Sequence, residues 1–264
     1  VRPRFIALLE PWLGSLAALV VPTYGVMLAI GALLCAAVIV ERTRREGFAR
    51  SNTLAVLAVA YAAGLAGASF VPFTQAAIAW LGGGRFAAPT GIAAYGGLVG
   101  GSLGALVALR RRGLDVVRFL DAASPAVGLG IFFARIGCFL AGCDYGKTTS
   151  SVFATTFPAG SPAFRDQVAA GLLDDDAVSS LPLHPTELYE AGAGLLLYFV
   201  LRARPRFALL VVGYALLRSA IEMFRGDVSR GAIGPLSTAQ VFAIVTVAAL
   251  GFWMVRHRTN PVTT

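Results

Sequence analysis

Long apolar runs, broken by short arginine-rich connections, recur along nearly the whole of this chain. A helix needs roughly 20 apolar residues to cross a bilayer. Seven segments approach that length: 22–40, 54–73, 92–109, 116–141, 187–201, 207–224 and 238–255. The pattern predicts an all-α polytopic membrane protein with seven transmembrane helices in one integral membrane domain, residues 1–264. Pro125 predicts a kink in the long fourth span, and the short fifth span begins within 184–186. Composition agrees, because only 14% of the 264 residues are charged and 57% are hydrophobic, too few charges to coat a soluble domain of this length.

The formal net charge of +8 would suggest nucleic acid in a soluble protein, but its placement argues otherwise. Arg42, Arg44, Arg45 and Arg50 fill the first connection, Arg110 to Arg112 the third, Arg202, Arg204 and Arg206 the fifth, and Arg256 and Arg258 the tail. The second connection holds only Arg85, and the fourth holds Lys147 and Arg165 against five aspartates, including the solvated run Asp174 to Asp176. This alternation follows the positive-inside rule. It predicts an N-terminus outside, a cytoplasmic C-terminus and an outer-face head at 144–184. The basic runs read as topology signals meeting anionic headgroups, so no nucleic-acid partner is expected. Glu10 and Pro11 interrupt the first apolar run, which predicts an interfacial helix on the outer leaflet.

Charges inside spans cost about 2.5–3.5 kcal/mol each at mid-membrane and therefore face a cavity or a partner. Three places concentrate them. Arg135 sits inside the fourth span, with Cys138 and Cys143 beyond it. In "LHPTELYEAG", residues 183–192, Glu187 and Glu190 stand three apart on one helix face beside Tyr189. In "YALLRSAIEMFRGD", residues 214–227, Tyr214, Arg218, Glu222 and Arg225 form one helical stripe. An i, i+4 pair such as Arg218 with Glu222 is often internal neutralisation only. Two guanidiniums at a common depth point instead to an anion between them, because the planar fork matches phosphate. His184 before Pro185 reads as a cap or hydrogen-bonded loop residue, and Arg118 and Asp121 as interfacial.

The third span, "GIAAYGGLVGGSLGALVAL", repeats glycine every four residues at Gly96, Gly100 and Gly104 and again at Gly97 and Gly101, a signature of close helix packing. Tyr95 stands at the outer interface, either as a belt residue or with its hydroxyl in the cavity. The cysteines have no zinc spacing, so no metal or other cofactor is expected. Cys35 reads as a small apolar residue.

Taken together, Tyr24-Gly25, "YGGLVGG" at 95–101, "ARIGCFLAGC" at 134–143, "HPTELYE" at 184–190 and "YALLRSAIEMFR" at 214–225 resemble the bacterial prolipoprotein diacylglyceryl transferases, in order along the chain. The resemblance implies an enzyme of the bacterial cytoplasmic (inner) membrane, with seven spans and an outer head. It would move diacylglyceryl from phosphatidylglycerol to the lipobox cysteine of a preprolipoprotein, forming a thioether and releasing glycerol phosphate. Arg135 and Arg218 would hold the phosphate. Tyr95 and His184 complete the implied catalytic set. Tyr24, Gly96, Gly97, Cys138, Glu187, Tyr189, Glu190, Tyr214, Glu222 and Arg225 are the implied substrate-binding positions, against membrane lipids and the lipobox segment.

There are departures from the family pattern. Tyr95 replaces the usual histidine, and a phenol titrating near about 10 is a poor base at neutral pH. Ala134 replaces a glycine, Cys138 and Ala141 replace asparagines, and Glu187 stands where many members have glutamine. Arg135 beside Cys138 would favour thiolate, but a packing or weakly polar role for Cys138 is favoured. A Cys138–Cys143 bond within one intact helix is geometrically awkward, and requires the helix to end between them. Two other readings remain open: a family member acting only as a lipid- or anion-binding protein, and an anion transporter. The second lacks the internal repeat common to transporters.

Overall fold

The computed structural model describes residues 23–83, 94–226, 232–233, 236–237, 240–241, 243–248 and 251, with the side chains of 23, 71, 94, 95, 232, 233, 236 and 237 outside the description. Seven helices have both ends defined within them: α1 Thr23–Arg45, α2 Arg50–Leu81, α3 Ala94–Arg111, α4 Val116–Ala141, α5 Pro162–Ala169, α6 Thr186–Ala203 and α7 Phe207–Glu222; residues 240–241, 243–248 and 251 are helical as well. A two-stranded antiparallel ladder, β1 Ala232–Ile233 and β2 Leu236–Ser237, follows. The expected interfacial helix before residue 23 lies outside the described residues, as does Arg85.

The expectation of seven transmembrane helices is corrected. Among the described residues three helices are long and apolar enough to cross a membrane: α1, α2 and α4. The reasons are local. Five of the 18 residues of α3 are glycine and two are arginine. Helix α6 has 18 residues but carries Glu187, Glu190 and Arg202. Helix α7 has only 16 and ends in Glu222. The segment 238–255 falls partly outside the described residues.

Glycine closes three of the helices in the same way. Gly47, Gly113 and Gly142 each take a positive φ, of 83°, 64° and 73°, and the next N–H turns back onto the last helical turn. Phe48 thus bonds Thr43 O, Leu114 bonds Leu109 O and Cys143 bonds Cys138 O, at 3.0, 3.0 and 3.2 Å. Helix α4 starts where the Asp115 carboxylate accepts the Arg118 N–H, and α5 where the Ser161 hydroxyl accepts the Phe164 N–H.

The chain forms two compact units. In residues 36–123, α2 and α3 meet along glycine: a Cβ on Gly67 would collide with Gly96 O, and one on Gly104 would stand 2.6 Å from Ala63 Cβ. Below this seam Val56, Ala108, Leu109, Phe119 and Ala123 form a buried cluster.

In residues 1–35 with 124–264, α4 and α6 cross with Gly128 against Gly194 O and the Tyr198 backbone. Gly137 of α4 packs on Tyr24 of α1, and Leu197, Leu201 and Leu210 join α6 to α7. The segment between α4 and α6 folds over its own small core of Tyr145, Phe157, Ala163 and Leu183. Backbone bonds stitch this segment to the rest of the unit: Gly146 N–H to His184 O at 3.0 Å, and Lys147 N–H to Phe224 O at 2.8 Å.

Candidate functional site

Three buried or half-buried arginines converge in the second of these units. Arg135 comes from α4, Arg218 from α7, and Arg225 from the chain just past the end of α7. Glu190, on the second turn of α6, lies between them. Its Oε2 pairs with Arg135 Nε, and its Oε1 lies 3.0 Å from Arg218 Nε and 3.8 Å from Arg225 Nη1. Arg218 also pairs with Glu222 one turn on. Asp144 closes the ring: its Oδ2 accepts from Arg135 Nη1 at 2.6 Å and its Oδ1 from Arg225 Nη2 at 2.9 Å.

Asp144 reaches this position by an unusual backbone. It is the only non-glycine residue with a positive φ (63°) among the described residues, two residues after the glycine that ends α4. Asp is one of the few residues that tolerates this region. Burial disfavours its charge, yet Arg135, Arg225 and the Cys138 thiol hold its carboxyl below the ordinary aspartate range.

The two thiols meet at the same corner. Because α4 ends at Ala141, Cys143 is folded back over the last turn. Cys138 donates to Asp144 Oδ2 at 3.3 Å, and both cysteines are free. Glu187 lies one turn before Glu190 and is as fully buried. Both its carboxylate oxygens lack a hydrogen-bond partner.

The structure thus brings together Arg135, Cys138, Glu187, Glu190, Tyr214, Arg218, Glu222 and Arg225, with the Tyr214 hydroxyl near Arg135 and Glu190. Tyr24 joins from α1, within electrostatic range of Arg135, Cys138, Cys143 and Asp144. His184 and Tyr189 form a separate aromatic group: His184 Nδ1 lies 3.2 Å from the Tyr189 hydroxyl, and both rings pack on Phe224. Gly96 and Gly97 serve the α2–α3 seam of the other unit. The Tyr95 side chain lies outside the description.

Two points differ from the sequence reading. The stripe 214–225 is not one helix face, since α7 ends at Glu222; Arg225 enters through its backbone bridge to Gly146. Nor do Arg135 and Arg218 leave a gap that by itself demands an added anion, because Glu190 is the anion between them. Asp144 was missed as a site residue. Its signal is local: an aspartate just after a helix-ending glycine, nine residues beyond a buried arginine.

The family described as prolipoprotein diacylglyceryl transferase matches residues 11–256. The phosphatidylglycerol–prolipoprotein diacylglyceryl transferase of Clostridium tetani is 29% identical over 256 residues, covering 90% of this chain and 94% of that protein. The corresponding transferase 2 of Clostridium perfringens is 31% identical over 58% of this chain and 57% of its own length. That of Allorhizobium ampelinum is 32% identical over 62% of this chain and 56% of its own.

Proposed function

Because the chain belongs to the prolipoprotein diacylglyceryl transferase family, we propose that the arginine–carboxylate cluster is its catalytic centre. The chain is a transferase of a bacterial inner membrane. It moves diacylglyceryl from phosphatidylglycerol to the lipobox cysteine of a prolipoprotein, with thioether formation and release of glycerol phosphate. The sulfur attacks the glyceryl carbon that bears the phosphate. The carbon–oxygen bond breaks, and its electron pair leaves on the phosphate oxygen.

One observation supports the assignment most. Arg135 and Arg218 lie nearer the open side than the two glutamates that hold them: their side chains retain 20% and 12% exposure, against 1% for Glu190 and 4% for Glu222, with the Asp144 carboxylate at the rim beside Arg135 at 33%. An incoming phosphate reaches Arg135 and Arg218 before Glu190 and Glu222, past Asp144 at the rim. Glu190 and Glu222 hold those cations in fixed orientations in a drying site, where prepositioned donors stabilise developing charge most. Tyr214 and Tyr24 border the same space, and Arg225 anchors Asp144 at its rim. His184, held by Tyr189 and Phe224, acts in this reading on the shape of the entrance. Tyr95 orients the lipid through its hydroxyl rather than removing a proton.

The arginine-rich turns after α1 and α3 support a cytoplasmic side there. The segment 144–184, with the cluster beneath it, is then the outer-face head, with the N-terminus outside and the C-terminus inside. Both substrates reach the centre from the bilayer.

Turnover of phosphatidylglycerol and a lipobox peptide by the purified chain tests the assignment. Arg218→Ala and Arg135→Ala should each lower the rate at least about 100-fold, the scale of losing an oriented donor to a developing oxyanion. A near-normal rate in either variant removes that arginine from the centre. Tyr95→Phe should reduce the rate only modestly, and an unchanged rate excludes its hydroxyl.

A further inference from the structure

The corner where α4 ends contains more ligand chemistry than phosphate binding uses. The Cys138 and Cys143 sulfurs and an Asp144 oxygen all lie within 4.8 Å of one another. Two sulfurs on one tetrahedral zinc are about 3.8 Å apart, given zinc–sulfur bonds near 2.3 Å. Small side-chain rotations therefore bring all three atoms onto one ion.

The backbone is arranged to make this corner. The turn at Gly142 folds Cys143 back onto Cys138, and the positive φ of Asp144 turns its carboxylate toward the same point. Strained, over-determined backbone of this kind concentrates at functional sites. Asp144 is also fixed by Arg135, on the same Oδ2 that meets Cys138, and by Arg225 on Oδ1, as ligating carboxylates usually are by hydrogen bonds.

We propose that Cys138, Cys143 and Asp144 bind a thiophilic divalent cation of the zinc class. Two thiolates and one carboxylate select a soft, tetrahedral ion. Three protein ligands leave one position open, the arrangement of catalytic rather than structural zinc. On the proposed function, and resting on it, that position takes the lipobox thiol. Coordination releases the thiol proton to solvent water. The metal-held sulfur then forms the bond to the glyceryl carbon as the phosphate leaves. This supplies the activation that Tyr95 is ill suited to give.

The test begins with binding alone, on the full chain purified in detergent and reduced. Titration with zinc should reach one equivalent and protect both thiols from maleimide alkylation. Cobalt(II) should give the near-ultraviolet thiolate-to-cobalt absorption. Cys138→Ser and Cys143→Ser should each lose the equivalent, while Arg218→Ala keeps it and loses turnover. Reduced wild-type protein that takes up no stoichiometric zinc and stays fully alkylated overturns the site, whether or not the serine variants fold. If zinc binds but turnover is unchanged after chelation, the thiol-activating role is overturned and the family activity stands.

Discussion

Two helix junctions in this molecule solve opposite problems. Between α2 and α3, in residues 36–123, the surfaces are apolar and glycine lets two backbones touch at Gly67 and Gly96 and at Gly100 and Ala63. Close van der Waals contact between the two backbones does the work there. Among α4, α6 and α7 the junction instead carries buried charge, and Glu190 binds three arginines at once. The first junction is tolerant of chemistry but intolerant of volume. The second is intolerant of any change in charge.

The largest expected effect follows from that contrast. Glu190→Gln preserves volume but strips the anion that three guanidiniums share. Removing one partner of a buried pair costs about 3–5 kcal/mol, and turnover should fall with it, because Arg135 and Arg218 lose their common anchor. Thermal unfolding in detergent, read beside the transferase assay, measures both. A variant with wild-type unfolding temperature would mean the cluster is hydrated and its charges independent.

The seam should respond in the reverse way. Gly67→Ala adds one methyl against Gly96 O, and overpacking of this kind costs about 1–3 kcal/mol. The unfolding temperature should drop while zinc uptake and transferase turnover, assayed well below it, stay near wild type. Loss of turnover without loss of stability would break the division of labour between the two junctions.

What could be read in advance follows the same line. Helix α4 spans 116–141 in both the pattern and the structure, because apolar periodicity and the flanking Asp115 and Gly142 are local signals. Arg135, Glu190 and Arg218 stood out because charge in an apolar run has few explanations. The pattern overestimates the number of spans, since runs of 15 to 18 apolar residues resemble spans although α6 and α7 turn glutamates into a protein interior. Asp144 was invisible as a site residue. Its burial depends on two left-handed residues and on backbone bonds from 145–147 to His184, Phe224 and Gly226, and no periodicity reports such a return of the chain.

The smallest expected effect concerns that aspartate. Arg135 and Arg225 hold the Asp144 carboxyl below its ordinary value against the cost of burial, so the folded state favours the charged form. The sign follows from linkage: the unfolded chain binds a proton first as pH falls. The stabilisation is therefore complete above about pH 4, the unfolded aspartate range, and drains away as pH drops through the lower folded value. Asp144→Asn should lower the unfolding temperature at neutral pH by a modest amount, because the half-exposed carboxylate is partly screened. It should also flatten the dependence of that temperature on pH in the acid limb, with Arg135 and Arg225 then answering only to Glu190. Equal acid slopes in variant and wild type would mean that Asp144 does not carry its charge into the folded cluster. Its left-handed backbone would then serve only the turn that carries Cys143 back onto Cys138.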